Sequence, residues 1–218
     1  LRWVSEAPVC HEMQARRQAA AEMPLRTVLR DHRAVLLPAM ILTCVLTSAV
    51  VVLVVITPTM MQKTFGMSPS HTFALSALGI VFLNIGCVLA GLLVDRIGAW
   101  RAVLVYSLLL PVGIAVLYAS LISGGVWLGA AYAVAGLSCG VVGAVPSVMV
   151  GLFPAQVRVS GISFTYNIAY ALWASTTPLL LIALMPTSPW ICVGYCVVMG
   201  AVGVASVALF GKRHTLAA

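Results

Sequence analysis

"SHTFALSALGIVFLNIGCVLAGLLVDRIGAWR", residues 70–101, opens with a run from Ser70 to Val94 that carries no charge and closes on Asp95-Arg96, Gly98 and Arg101. A helix rises 1.5 Å per residue, so about 20 apolar residues cross the roughly 30 Å of hydrocarbon in a bilayer. This run is long enough to do so, and its charges stand at its end rather than inside it. Three further stretches have the same character: Ala34 to Gln62, Ala102 to Val157 and Val159 to Gly211. The last two are long enough to cross twice. Each is interrupted where a turn outside the membrane would fall, at Ser123-Gly124-Gly125 and at Pro186-Thr187-Ser188-Pro189, because glycine frees the backbone and proline removes an amide donor. The reading is an all-α membrane protein with six spans, near 34–59, 70–94, 102–122, 126–152, 160–184 and 190–211. Spanning strands would be short and alternating, and these runs are continuous.

The totals agree. The chain is 62% hydrophobic and 8% charged, with a mean hydropathy of +1.10, against roughly 25% charged residues in soluble domains. Basic residues are retained on the cytoplasmic side of membrane proteins. Segment 1–33 holds Arg2, Arg16, Arg17, Arg26, Arg30 and Arg33, the second and third spans are joined through Arg96 and Arg101, the fourth and fifth through Arg158, and the tail has Lys212 and Arg213. Lys63 alone falls on the other side. The imbalance puts both termini in the cytoplasm and accounts for the net charge of +7 as topology, so no nucleic-acid partner is needed. Trp127, Trp190 and Trp100 suit interfacial anchoring.

Five of the six cysteines (Cys44, Cys87, Cys139, Cys192 and Cys196) fall inside spans, where a thiol behaves as a small apolar group. Cys192 and Cys196 share a helix face, but two thiols do not make a metal site. No metal or other cofactor is expected. Residue 1 is Leu, and residues 1–33 mix arginines with Glu6, Glu12 and Glu22 without an apolar signal core. They read as a cytoplasmic connector, 212–218 as a cytoplasmic tail, and the chain as a piece with more upstream.

The junction Gly91-Leu-Leu-Val-Asp95-Arg96-Ile-Gly98-Ala-Trp-Arg101 needs Gly98 for a tight turn, Gly91 permits close helix approach, and Asp95 is able to accept bonds from free amides at a helix start. An ordinary loop obeying the charge rule would also explain these residues. The spacing resembles the G-x-x-x-D-R-x-G-R-R signature of the major facilitator superfamily in its second copy, with Ala99 and Trp100 after the glycine and Arg101 next. A second stretch, "GLFPAQVRVSGISFTYNIAYALWASTTPLL" at 151–180, resembles the F-P-x-x-x-R-x-[S/T]-G-x-S-x-x-Y-N block of the metabolite:proton symporters, the subfamily with proline/betaine, 2-oxoglutarate, citrate and shikimate carriers. "LRWVSEAPVCHE" and "MPLRTVLRDHRAVLL" resemble its central loop.

The resemblance implies that these are helices seven to twelve of a twelve-helix carrier, one half of a fold whose halves rock about a substrate near mid-membrane. It implies a secondary active transporter of the inner membrane, a symporter moving a small polar metabolite such as an organic acid or osmolyte with protons, and not an enzyme. Its partners would be substrate, protons, lipid and the absent N-terminal six-helix half. Gly91, Asp95, Arg96, Gly98 and Arg101 would form a cytoplasmic gate with Arg158 and the helix start at Gly161. A charge pair at a wet helix end is worth about 1 kcal/mol, weak enough to open each cycle.

Substrate contacts are expected from polar side chains at mid-depth: Asn84, Asn167, Tyr170 and Trp173 above others. Asn84 would otherwise form a helix–helix bond, and the other three would otherwise pack. Thr43, Thr47 and Ser138 are weaker candidates, because such hydroxyls commonly bond to their own helix. Pro146 and Pro178 are expected to kink their spans. No acidic residue lies inside any span, so a titrating carboxylate would belong to the absent half.

Three rival readings are an intramembrane serine protease, a channel and a half-carrier that does not transport. "GLSCG" at 136–140 has the form of a nucleophile turn, but His11, His32, His71 and His214 lie outside the spans or at their ends, where none is able to activate Ser138. A stand-alone six-helix channel would need a polar-lined pore, and a truncated half-carrier would not transport at all.

Overall fold

The computed structural model describes residues 28–30 and 33–211. The expected connector and tail lie outside the described residues, apart from the helical Val28–Arg30 and from Arg33, which opens the first long helix. The arginines, glutamates, Cys10 and histidines assigned to 1–27, 31–32 and 212–218 lie outside them too.

Six helices are long and apolar enough to cross a membrane: α1 (Arg33–Lys63), α2 (Pro69–Ile97), α3 (Ala99–Ile122), α4 (Leu128–Leu152), α5 (Arg158–Leu184) and α6 (Ile191–Gly211). In hydrocarbon every backbone amide and carbonyl must be satisfied within the segment, so charge-free aliphatic runs of this length have no alternative to helix. The ends differ from expectation by a few residues. α2 continues through Asp95 and Arg96 to Ile97, so the joint to α3 is Gly98 alone, at φ 89°, a conformation that disfavours any side chain. α5 begins two residues early, with Arg158 in its first turn.

Three helices are irregular, and α6 ends in a π turn over Val207–Gly211. In α1 the segment Val52–Ile56 widens into a π turn ahead of Pro58. Thr57 Oγ1 donates to the Val52 carbonyl at 2.8 Å, and Tyr132 Oη donates from α4 to the Leu53 carbonyl at 3.1 Å. The hydroxyls thus supply donors beside a proline that has no amide to give. α4 is interrupted at Cys139-Gly140, six residues before Pro146, where the kink was expected.

α1 is the axis of the bundle and the most buried of the six helices, packed by α5, α6 and the second half of α4. α3 packs on α4 and α6, and α2 lies across α4 and α3. α2 and α5 are the least buried of the six. Lipid gives helices no hydrophobic reason to associate, so they pack where small residues let backbones approach. The α2–α4 crossing shows this. A Cβ on Gly136 would collide with the Gly79 carbonyl, one on Gly140 would lie 2.7 Å from the Gly86 carbonyl, and one on Gly143 would lie 2.6 Å from the Cys87 carbonyl.

Candidate functional site

The sequence points to two places, the end of the bundle that bears Arg96, Arg101 and Arg158, and a mid-depth set on α2 and α5. At the arginine end, Gly98 closes α2 by donating its amide to the Val94 carbonyl at 2.9 Å. Asp95 is exposed on the last turn of α2. It is not at a helix start, as its expected role as an amide acceptor required, and among the described residues it makes no hydrogen bond or ion pair.

Arg158 is committed elsewhere. Its Nε donates to the Phe153 carbonyl at 3.1 Å, and the buried Phe153 ring lies where a Cβ on Gly161 would collide with it. This gives a physical reason for the spacing Phe153-Pro154 … Arg158 … Gly161: the chain between α4 and α5 folds back on the first turn of α5. Among the described residues Asp95 and Arg158 form no ion pair. Nothing lies within 4 Å of a Cβ placed on Gly91, so its close-approach surface is unused within this bundle.

At mid-depth α5 presents two faces. At about 100° per residue, Tyr166, Tyr170, Trp173 and Thr177 form one stripe. Tyr166 and Tyr170 stack with ring centroids 5.5 Å apart. Trp173 Nε1 is buried without an acceptor. Thr177 Oγ1 meets Tyr195 Oη at 2.8 Å, and Tyr195 Oη meets Ser48 Oγ at 2.9 Å, which ties α5, α6 and α1 together through hydroxyls. Asn167 stands off this stripe. It is exposed, and its Nδ2 donates to the Ser163 carbonyl of its own helix at 2.7 Å. Asn84 does the same on α2, donating to the Ile80 carbonyl at 2.8 Å, so it forms no helix–helix bond here.

The structure therefore groups Tyr170 and Trp173, and leaves Asn167 and Asn84 on two separate exposed faces. Thr43, Thr47 and Ser138 bond to the carbonyls of Ala39, Thr43 and Ala135. The sequence does not single out Tyr195 or Tyr132, and it marks Phe153 only as the first residue of the F-P-x-x-x-R block. An isolated tyrosine in an apolar helix is the only mark of Tyr195 and Tyr132, and their partners are remote in the chain.

Six packed apolar helices, each long enough to cross a membrane, define a polytopic membrane protein. A family model described as Major Facilitator Superfamily matches residues 3–178, and the chain belongs to that family. Comparison with curated proteins and with solved structures returned no match.

Proposed function

We propose that the chain is the C-terminal half of a secondary active transporter, a symporter that moves a small polar metabolite such as an organic acid or osmolyte by alternating access, coupled to protons. The membrane would be the inner membrane, with the arginine end cytoplasmic. One observation carries the reading. Asn84 and Asn167 stand exposed on α2 and α5, the two least covered helices, where lipid would be their neighbour if the bundle stood alone. Each uses its amide hydrogens on its own carbonyl ladder and has its Oδ1 to spare. Polar side chains in a membrane face protein or a water-filled path. Ser163, Ser175 and Thr176 are exposed on α5 as well. These faces suit a second six-helix half with a substrate path between.

In this reading Tyr170, Trp173, Asn167 and Asn84 contact substrate, and the spare indole N–H of Trp173 is a donor for it. Asp95 is drawn toward Arg158 and Gly161 only when the arginine end closes, while Gly91 supplies the flat surface on which the other half slides. Arg96, Gly98 and Arg101 complete the gate.

Uptake into proteoliposomes tests this. Labelled proline, 2-oxoglutarate, citrate and shikimate would be offered under an imposed pH gradient to the chain alone and to the chain joined to an N-terminal six-helix half. Saturable uptake of one of them by the joined form only, increased by the gradient, is expected. Non-saturating flux through the chain alone would mean a channel. No uptake by either form would mean a half-carrier that does not transport.

A further inference from the structure

A crevice of about 260 Å³ opens where α2, α3 and α4 meet, and its walls are almost wholly apolar. Leu89 of α2, Tyr106, Leu109, Val112 and Gly113 of α3, and Val134, Leu137 and Ser138 of α4 line it. Leu89, Leu109, Val112 and Val134 are exposed as well as lining it. Of the lining residues only Ser138 was a candidate for substrate contact, and its hydroxyl is spent on the Ala135 carbonyl of its own helix at 2.7 Å.

The crevice is on the flank of α2 turned away from the asparagine. At about 100° per residue, Asn84, Gly91 and Asp95 share one side of the helix, whereas Leu89 and Arg96, seven residues apart, share another. On α3, Arg101, Leu108 and Val112 also fall in one row. Below Arg101 the exposed large side chains of α3 are Leu108, Leu109, Val112, Val116 and Ile122, all aliphatic, so this flank has the chemistry of a lipid-facing surface.

Depth and charge narrow the occupant. Arg101 to Val112 is eleven residues, a rise of roughly 16 Å, and the hydrocarbon of one leaflet is about 15 Å thick. Arg96 and Arg101 are both exposed, and among the described residues neither has a hydrogen bond or ion pair. Two uncompensated cations thus stand one leaflet's depth from an apolar furrow reached along an aliphatic row. That matches a molecule with an anionic head and an acyl tail. Basic clusters at helix ends attract anionic headgroups by about 1 kcal/mol per arginine.

We propose that this flank binds one anionic phospholipid of the leaflet at the arginine end, its phosphate held by Arg96 and Arg101 and an acyl chain lodged in the crevice against Leu109, Val112 and Val134. Its occupancy is independent of whether the chain carries a metabolite.

The test is a titration of the delipidated chain with phosphatidylglycerol and with phosphatidylcholine, with bound lipid counted by native mass spectrometry. Phosphatidylglycerol should bind more tightly, and the double variant Arg96→Gln/Arg101→Gln should lose about thirtyfold in affinity for it, together with the preference. Val112→Trp, which fills the crevice, should weaken both lipids. A short-chain phosphatidylglycerol unable to reach the crevice, and inorganic phosphate, should both bind the unaltered chain far more weakly. Equal affinity for the two lipids, or an unchanged preference in the double variant, overturns the headgroup assignment. Short-chain lipid or phosphate binding as tightly as the long-chain lipid overturns the crevice, whether or not Val112→Trp folds.

Discussion

A carboxylate on the last turn of a helix faces that helix's negative end, so Asp95 gains nothing from α2 and has no partner among the described residues. Charge placed without local stabilisation is suited to a contact made in only one state. Asp95→Asn is accordingly expected to lower transport severalfold while leaving the melting temperature unchanged; wild-type rates across a range of substrate concentrations would remove Asp95 from the gate. Tyr195 is the reverse case, a hydroxyl fully engaged at 2.8 Å and 2.9 Å. Tyr195→Phe should cost about 1 kcal/mol and lower the melting temperature by a few degrees. Trp173 separates two roles by kinetics. If its buried Nε1 donates to substrate, Trp173→Phe raises KM with little change in stability, whereas pure packing would show as a lower melting temperature with KM unmoved.

Among elements, the α2–α4 crossing is the tightest test of packing. Gly140→Val would drive methyl groups into the Gly86 carbonyl and the Tyr106 ring, and the expected loss is about 1–3 kcal/mol or failure to fold. Gly91→Leu is the matched contrast. Its surroundings within the bundle are open, so the chain alone should melt as before, and transport by the joined carrier should fall because the surface the other half needs is roughened. Measuring both variants by thermal unfolding and by uptake distinguishes glycines that pack this bundle from one that serves a neighbour. The π turn of α1 belongs to this scale too, since its carbonyl at Leu53 depends on Tyr132 of another helix.

At the scale of the molecule, the uneven burial of the helices governs what each flank does. α2 and α5 are mostly uncovered, yet one flank is marked by Asn84 or Asn167 and the other flank of α2 leads into an aliphatic crevice. In a background without native cysteines, Asn84→Cys and Asn167→Cys in the joined carrier should react with a water-soluble maleimide when the path is open, and Val112→Cys should not; equal labelling of all three would mean that the flanks do not differ. Much of this architecture could be read from residue order. The four charge-free runs, the glycine and proline breaks within two of them and the arginines at alternate joints were enough for six helices, because a backbone in hydrocarbon must bond to itself whatever its neighbours are. The ends moved by only a few residues. The candidate site was less legible. Tyr170 and Trp173 share a stripe that helical spacing anticipates, but spacing is silent on Tyr195, whose hydroxyl partners come from two other helices, and on the Arg158 bond to Phe153. Local chain chemistry decides helix or not, whereas which faces meet is decided by backbones fitting through glycines such as Gly86 and Gly140, contacts between residues far apart in the chain that no local pattern encodes.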